Sequence, residues 1–151
     1  MQKIIPFLWF NDQAEEAMNF YISIFKNGKI KHSSKLGEDG KLMTGTFEIE
    51  GQTFQVLNGG PMFSFSPAIS FFVNCENQEE IDELWEKLSE GGEKQRCGWL
   101  KDKYGISWQI VPPILGSLLG APNRTKANQV MQAMLQMDKI IIMDLIKAFE
   151  A

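Results

Sequence analysis

The chain has 151 residues and a formal net charge of −4, with 44% apolar and 23% charged residues. This length is enough for one domain with its own core, and the composition is typical of a soluble globular protein. Lysines and arginines are scattered among acids, which argues against nucleic-acid binding, and no apolar run approaches the roughly 20 residues of a membrane span. We therefore expect neither nucleic acid nor a membrane as partner.

The N-terminal residues lack the charged start, long apolar run and small-residue cleavage site of a signal peptide, so we expect a cytoplasmic protein. In a reducing cytoplasm the two cysteines, Cys75 and Cys97, are expected to be free thiols. The chain has a single histidine, His32. Because zinc sites use several His or Cys ligands, an ordinary zinc site is not expected.

In the first half of the chain, strands surround one helix. Residues 3–10 are nearly all apolar, as in a strand buried on both faces. Asp12 is a candidate N-cap of the following helix, because Glu15 completes a capping box, and Asn27-Gly28 ends that helix. The further strands predicted here are residues 29–36, 41–50 and 52–58, with a hairpin turn at residues 37–40.

The second half repeats this order of elements. Residues 68–74 are apolar, Asn77 is a candidate N-cap, and Gly91-Gly92 ends the second helix. Two more strands are predicted at residues 93–100 and 106–111. The halves match at one fixed offset, which pairs Ile5 with Ile69, Phe7 with Phe71, Phe20 with Leu84, Tyr21 with Trp85 and Gly28 with Gly92. The sequence therefore predicts a repeated βαβββ unit.

A helical tail follows the repeat. Pro112-Pro113 breaks the last strand, and helices are predicted at residues 114–119, at residues 123–136 and after Asp138, a candidate cap. Methionines on these helices suggest an adaptable packing face. We expect the tail to pack on the same domain or on a partner subunit.

Residues 5–10 (IPFLWF), 14–17 (AEEA), 57–61 (LNGGP), 97–102 (CGWLKD) and 105–109 (GISWQ) resemble the PhnB-like branch of the vicinal-oxygen-chelate superfamily. The Met-rich residues 126–137 also resemble that branch, whose members are often labelled 3-demethylubiquinone-9 3-methyltransferase domain proteins.

The resemblance implies an α+β, glyoxalase-like fold, with two βαβββ modules forming a cup-shaped mixed sheet and a C-terminal helical extension. It implies one domain over residues 1–151: module one at 1–60, module two at 66–112 and the tail at 113–151. It also implies a homodimer.

The resemblance further implies places for divalent-metal ligands on the inner face of the cup. They fall near residues 5–7, 55–58 and 68–70 and at Gln109, where this sequence has neither His nor Glu. Amides are weak ligands for hard cations, which favour carboxylates. We therefore expect no metal site and no cofactor, which counts against glyoxalase-type and dioxygenase-type chemistry.

Several residues are candidates for binding a small molecule. Trp9 either stacks a flat ligand or fills the core, and the amides of Asn58 and Gln109 either contact a ligand or cross-link the sheet. Residues 59–65 form either a lid or a plain connection. The full set of cup candidates is Phe7, Trp9, Asn58, Cys97, Trp99 and Gln109, and alternation along the last strand places Trp108 on the face opposite Gln109.

Two functions follow as hypotheses. The first is a module that binds an unidentified small organic molecule. The alternative is an enzyme acting on a small organic substrate, either through Asn58, Cys97 and Gln109 together or as a metal-dependent lyase or dioxygenase. For the methyltransferase label, a common S-adenosylmethionine site needs a Gly-rich turn after the first strand, and residues 10–12 contain no glycine.

Overall fold

The computed structural model describes residues 2–35 and 39–151. The chain divides into two compact units with the boundary between Phe65 and Ser66. Each unit contains one βαβββ module, which confirms the α+β class and the repeated modules. Residues 36–38, the predicted end of the second strand and start of the hairpin turn, lie outside the described residues.

The first unit is a four-stranded sheet with one helix on it. The elements are β1 (Phe7–Phe10), α1 (Ala14–Ile24), β2 (Lys29–Lys35), β3 (Leu42–Ile49) and β4 (Gln52–Asn58). The strand order is β1-β4-β3-β2, and only the β1–β4 pair is parallel. Helix α1 covers one face, where Tyr21 stacks on Phe47 and Met18 fills the space above Gly45.

The second unit repeats this arrangement. The elements are β5 (Ser70–Asn74), α2 (Gln78–Ser89), β6 (Glu93–Lys94), β7 (Trp99–Lys101) and β8 (Ser107–Val111). The strand order is β5-β8-β7-β6, with β5 parallel to β8. Trp108 lies in the core, as predicted, and its indole nitrogen donates to the buried Asp102 carboxylate at 2.9 Å. Residues 95–98 interrupt the single strand predicted at 93–100.

The tail packs within the second unit. Helices α3 (Pro113–Leu119), α4 (Arg124–Leu135) and α5 (Ile142–Glu150) surround an apolar cluster of Val111, Leu115, Val130, Ile140 and Leu145. The prediction that Asp138 caps the last helix is wrong, because that helix begins four residues later at Ile142. The backbone carbonyl of Asp138 instead accepts from the amide of Gly98 at 2.7 Å. In the described parts of the chain, no helix is long and apolar enough to cross a membrane.

The fixed offset between the halves holds in the helices but is wrong in the first strands. Phe7 is 53% exposed on the sheet face away from α1, whereas Phe71 packs edge-on against the buried Trp108. The exposed aromatic residue of β5 is Phe72 instead, so the alternation of side chains between the two sheet faces is shifted by one residue relative to β1. A one-residue shift moves every side chain of a strand to the other face.

Candidate functional site

The sheet face of the first unit that points away from α1 carries two rows of side chains across the strands. Strand register places Phe7 beside Gln55 and Trp9 beside Leu57. The rows continue with Thr46 and His32 next to Gln55, and with Thr44 and Ser34 next to Leu57. This open face is thus aromatic at β1 and polar towards β2.

Trp9 is held in one orientation on this face. Its indole nitrogen donates to the Gly60 carbonyl at 2.9 Å, and the Phe63 ring meets it edge-on at 5.0 Å between centroids. The ring packs on Gly59, where an added Cβ would lie 2.4 Å from the indole. The start of the loop predicted as a lid or connection is therefore fixed to the Trp9 side chain.

Asn58 does not share this face, which corrects its prediction as a cup residue. In register it pairs with Phe10, which is 3% exposed on the helix side. Its side-chain oxygen accepts from the Ala14 amide at 2.8 Å, and its side-chain nitrogen donates to the Leu42 carbonyl at 3.0 Å. Asn58 thus caps α1 in place of Asp12, and the residue at the N-cap position, Gln13, makes no side-chain cap.

The sheet of the second unit has a corresponding face, the one that points away from α2. One row consists of Trp99, Gln109 and Phe72, with the glutamine between the two aromatics. The neighbouring row consists of Lys101, Ser107 and Ser70. Phe72 is 54% exposed, whereas the alternate residues Leu100 and Trp108 are buried under α2.

Two hydroxyls and one amide form the polar part of this face. Gln109 donates from Nε2 to the Ser70 hydroxyl at 2.9 Å. Ser107, the register neighbour of Ser70, is 1% exposed, and its Oγ has no hydrogen-bond partner among the residues that the structure describes. A buried hydroxyl without a partner is costly, so this atom is the notable polar feature of the face.

The cysteines lie elsewhere. Cys97 has a left-handed backbone with φ of 61°, and its amide donates to the Met137 carbonyl at 2.9 Å. Its sulfur lies 3.6 Å from the Met134 carbonyl oxygen, so the side chain packs against the tail and not in the Trp99 row. Burial, with a smaller contribution from Glu80, raises the pKa of the Cys75 thiol to about 12, which keeps it protonated at neutral pH.

The polar residues at the positions implied for metal ligands do not fit a divalent cation. Gln109 and Ser70 are neutral and hydrogen-bonded to each other. On the other open face, the Glu48 carboxylate pairs with the Lys29 ammonium at 3.4 Å. Over residues 2–35 and 39–151 no three His, Cys, Asp or Glu side chains are grouped so as to hold a metal ion.

Sequence reasoning missed Gln55, Phe72, Ser70 and Ser107. The signal for the two serines was present, because the alternation that separates Trp108 from Gln109 also puts Ser107 beside Gln109. Ser70 then follows from parallel pairing of β5 with β8. Phe72 was missed because the offset between the halves changes by one residue in that strand.

Known structures share this architecture. The PhnB protein of Bacillus cereus is 39% identical, with a TM-score of 0.70, over 74% of this chain and 99% of that chain. A Pseudomonas aeruginosa protein is 20% identical with a TM-score of 0.60, over 72% and 95%. The fosfomycin resistance protein FosX of Listeria monocytogenes, solved with Mn(II) and sulfate, is 20% identical with a TM-score of 0.50, over 72% and 89%. The last two likenesses show the fold alone.

None of the curated proteins matches the sequence. The family model described as 3-demethylubiquinone-9 3-methyltransferase matches residues 2–111, which covers both βαβββ modules and leaves out the helical tail. The likeness noted for residues 126–137 is therefore outside the match. The chain belongs to this PhnB-like family, which has the glyoxalase-like fold of the vicinal-oxygen-chelate superfamily.

Proposed function

We propose that this protein binds a small organic molecule with an apolar or aromatic body on the open faces of its sheets, without a divalent metal. The observation that carries the proposal is the Trp99–Gln109–Phe72 row, in which an amide lies between two aromatic side chains. The first unit offers a similar surface, with Phe7 beside Gln55. Apolar walls with a few placed polar groups are typical of small-molecule sites.

Exposure of the aromatic rings supports this proposal. Phe7 and Phe72 leave more than half of their surface in water although each stands on a hydrogen-bonded strand. Burying a phenylalanine side chain contributes about 1.5–3 kcal/mol. A ligand that covers such a ring recovers part of this free energy, and the strand keeps the entropic cost of binding low.

The contacts of Asn58, Cys97 and Gln109 argue against the alternative of an enzyme that acts through these three residues together. Asn58 caps α1, Cys97 packs against the tail and Gln109 bonds Ser70, so each of the three side chains has a separate structural contact. The methyltransferase named in the family description needs a cofactor site of its own. The first sheet is parallel only between β1 and β4, and its first strand leads into α1 without a Gly-rich turn.

Calorimetric titration with 2-ethylnaphthalene tests the proposal. We expect measurable binding, and Phe7→Ala or Phe72→Ala should weaken it by about 3- to 10-fold, because an aromatic contact contributes roughly 0.5–1.5 kcal/mol beyond its area. Ile30→Ala is the matched control, since Ile30 is also exposed but pairs with the buried Phe47 on the other face. Equal affinity of all four proteins would contradict the proposal.

Metal analysis of the purified protein is a second test. Metal bound in stoichiometric amount, and lost in Gln109→Ala, would show that the neutral donors do hold a cation.

We also propose a cytoplasmic homodimer, supported by the family resemblance and by exposed apolar side chains on the tail, Met131, Leu135 and Met143. Light scattering after size exclusion tests the dimer.

A further inference from the structure

We infer that Ser70, Ser107 and Gln109 bind an uncharged hydrogen-bonding group of the ligand, such as a ketone or amide carbonyl. This inference rests on the proposed function and narrows the ligand class. It also gives a role to the positions at which the resemblance implies metal ligands.

The Ser107 hydroxyl is a buried group that needs a hydrogen-bond partner. Its residue is 1% exposed, and its oxygen has no partner in the described parts of the chain. Leaving a buried hydroxyl unpaired costs free energy that replacing it with a methyl group would avoid. A ligand atom that accepts from this hydroxyl would offset the cost.

The neighbouring groups extend the same surface. Ser70 faces Ser107 in register, and Gln109 follows two residues later on the same strand. Gln109 uses one N–H on the Ser70 oxygen, which leaves the Ser70 hydroxyl hydrogen and the Gln109 carbonyl oxygen for other partners. The cluster thus offers both donors and an acceptor to one polar group.

The aromatic residues of the next row give the ligand's body a surface. Trp99 and Phe72 flank Gln109, and Ser107 lies about 7 Å along the strand from it. This distance allows one small molecule to place a polar group at Ser107 and a ring against Phe72 or Trp99.

The absence of charge on Ser70, Ser107 and Gln109 favours a neutral ligand group. All three side chains are uncharged, and an anion brought to a buried hydroxyl needs a paired cation. Lys101 is the charged residue nearest in register to Ser107, and it is half-exposed at the end of β7. An anionic ligand would depend on Lys101, whereas a neutral one would not.

Titration with three naphthalenes of similar shape tests the inference. The probes are 2-acetylnaphthalene with a neutral carbonyl, 2-naphthoate with a carboxylate and 2-ethylnaphthalene with no polar group. We expect the ketone to bind about 3- to 10-fold more tightly than the ethyl compound, as one hydrogen bond predicts. Ser107→Ala should abolish this preference.

Two controls separate the outcomes. Ser89→Ala removes another buried serine of the second unit, whose hydroxyl bonds the Trp85 carbonyl, and should keep the preference. If the ethyl compound binds as tightly as the ketone, the inference fails while the proposed function stands. The same holds if 2-naphthoate binds most tightly and Lys101→Met abolishes that binding. If none of the three probes binds, both fail.

Discussion

The side-chain oxygen of Asn58 accepts a hydrogen bond from the Ala14 amide, so the end of β4 caps the start of α1. A helix leaves its first four N–H groups without partners inside the helix, and they are usually met by the residue just before it. Here the cap comes from a residue 44 positions later in the chain. Asn58 therefore joins helix and sheet within the first unit.

Removing this cap should destabilise the protein without affecting ligand binding. Asn58→Ala loses the bond to Ala14 and the donation to the Leu42 carbonyl, which should lower the free energy of unfolding by about 1–3 kcal/mol. Asn58→Asp keeps the acceptor and should recover part of the loss. Urea denaturation measures the stability, and a parallel loss of 2-acetylnaphthalene affinity in folded Asn58→Asp would show that the residue contacts ligand after all.

Ser107→Ala should have the opposite effect on stability. Because the buried hydroxyl has no partner in the described structure, its removal should leave the melting temperature unchanged or raise it. Ser89→Ala, which loses a 2.6 Å bond to the Trp85 carbonyl, should lower it. Differential scanning calorimetry of both variants checks this contrast, and a clear loss of stability in Ser107→Ala would indicate a structural partner.

Cys75 should make the protein less stable at high pH. Burial raises the pKa of its thiol from 9.0 to about 12, so the folded state keeps a proton that the unfolded state releases. The contribution of this thiol to the free energy of unfolding is complete below pH 9 and is lost as the pH rises from 9 towards 12. From pH 7.5 to pH 10.5 the free energy of unfolding should therefore decrease more in the native protein than in Cys75→Ala. An equal decrease in both proteins would argue against a buried thiol.

Gln78 should control the attachment of the last helix. Its side-chain nitrogen donates to the Ile140 carbonyl at 3.0 Å, and its oxygen accepts from the Ile142 amide at 2.8 Å. Gln78→Ala should increase hydrogen exchange at the start of α5 by about 30-fold, as expected from the loss of two hydrogen bonds of about 1 kcal/mol each. Gln132→Ala, on the exposed side of α4, is the control, and unchanged exchange in Gln78→Ala would mean that the apolar cluster alone holds the helix.

Alternation and resemblance together predicted the modules and the correct face for Gln109 and Trp108. The same alternation, applied to Phe54 and Val56, would have put Asn58 on the helix side, whereas Asn58 is predicted above as a cup residue. The break at residues 95–98 was beyond prediction, because it depends on a left-handed Cys97 stabilised by the distant Met137 carbonyl. Contacts of this kind arise from tertiary packing, which local pattern does not record.

The different alternation of side chains in β1 and β5 limits how the two halves can be recombined. Equivalent positions of the two helices differ by 64 in residue number, as Tyr21 and Trp85 do. In the first strands, residues that share an environment differ by 65, as Phe7 and Phe72 do. A symmetric protein built from two identical halves would therefore have to use the strand and strand-to-helix connection of one half in both.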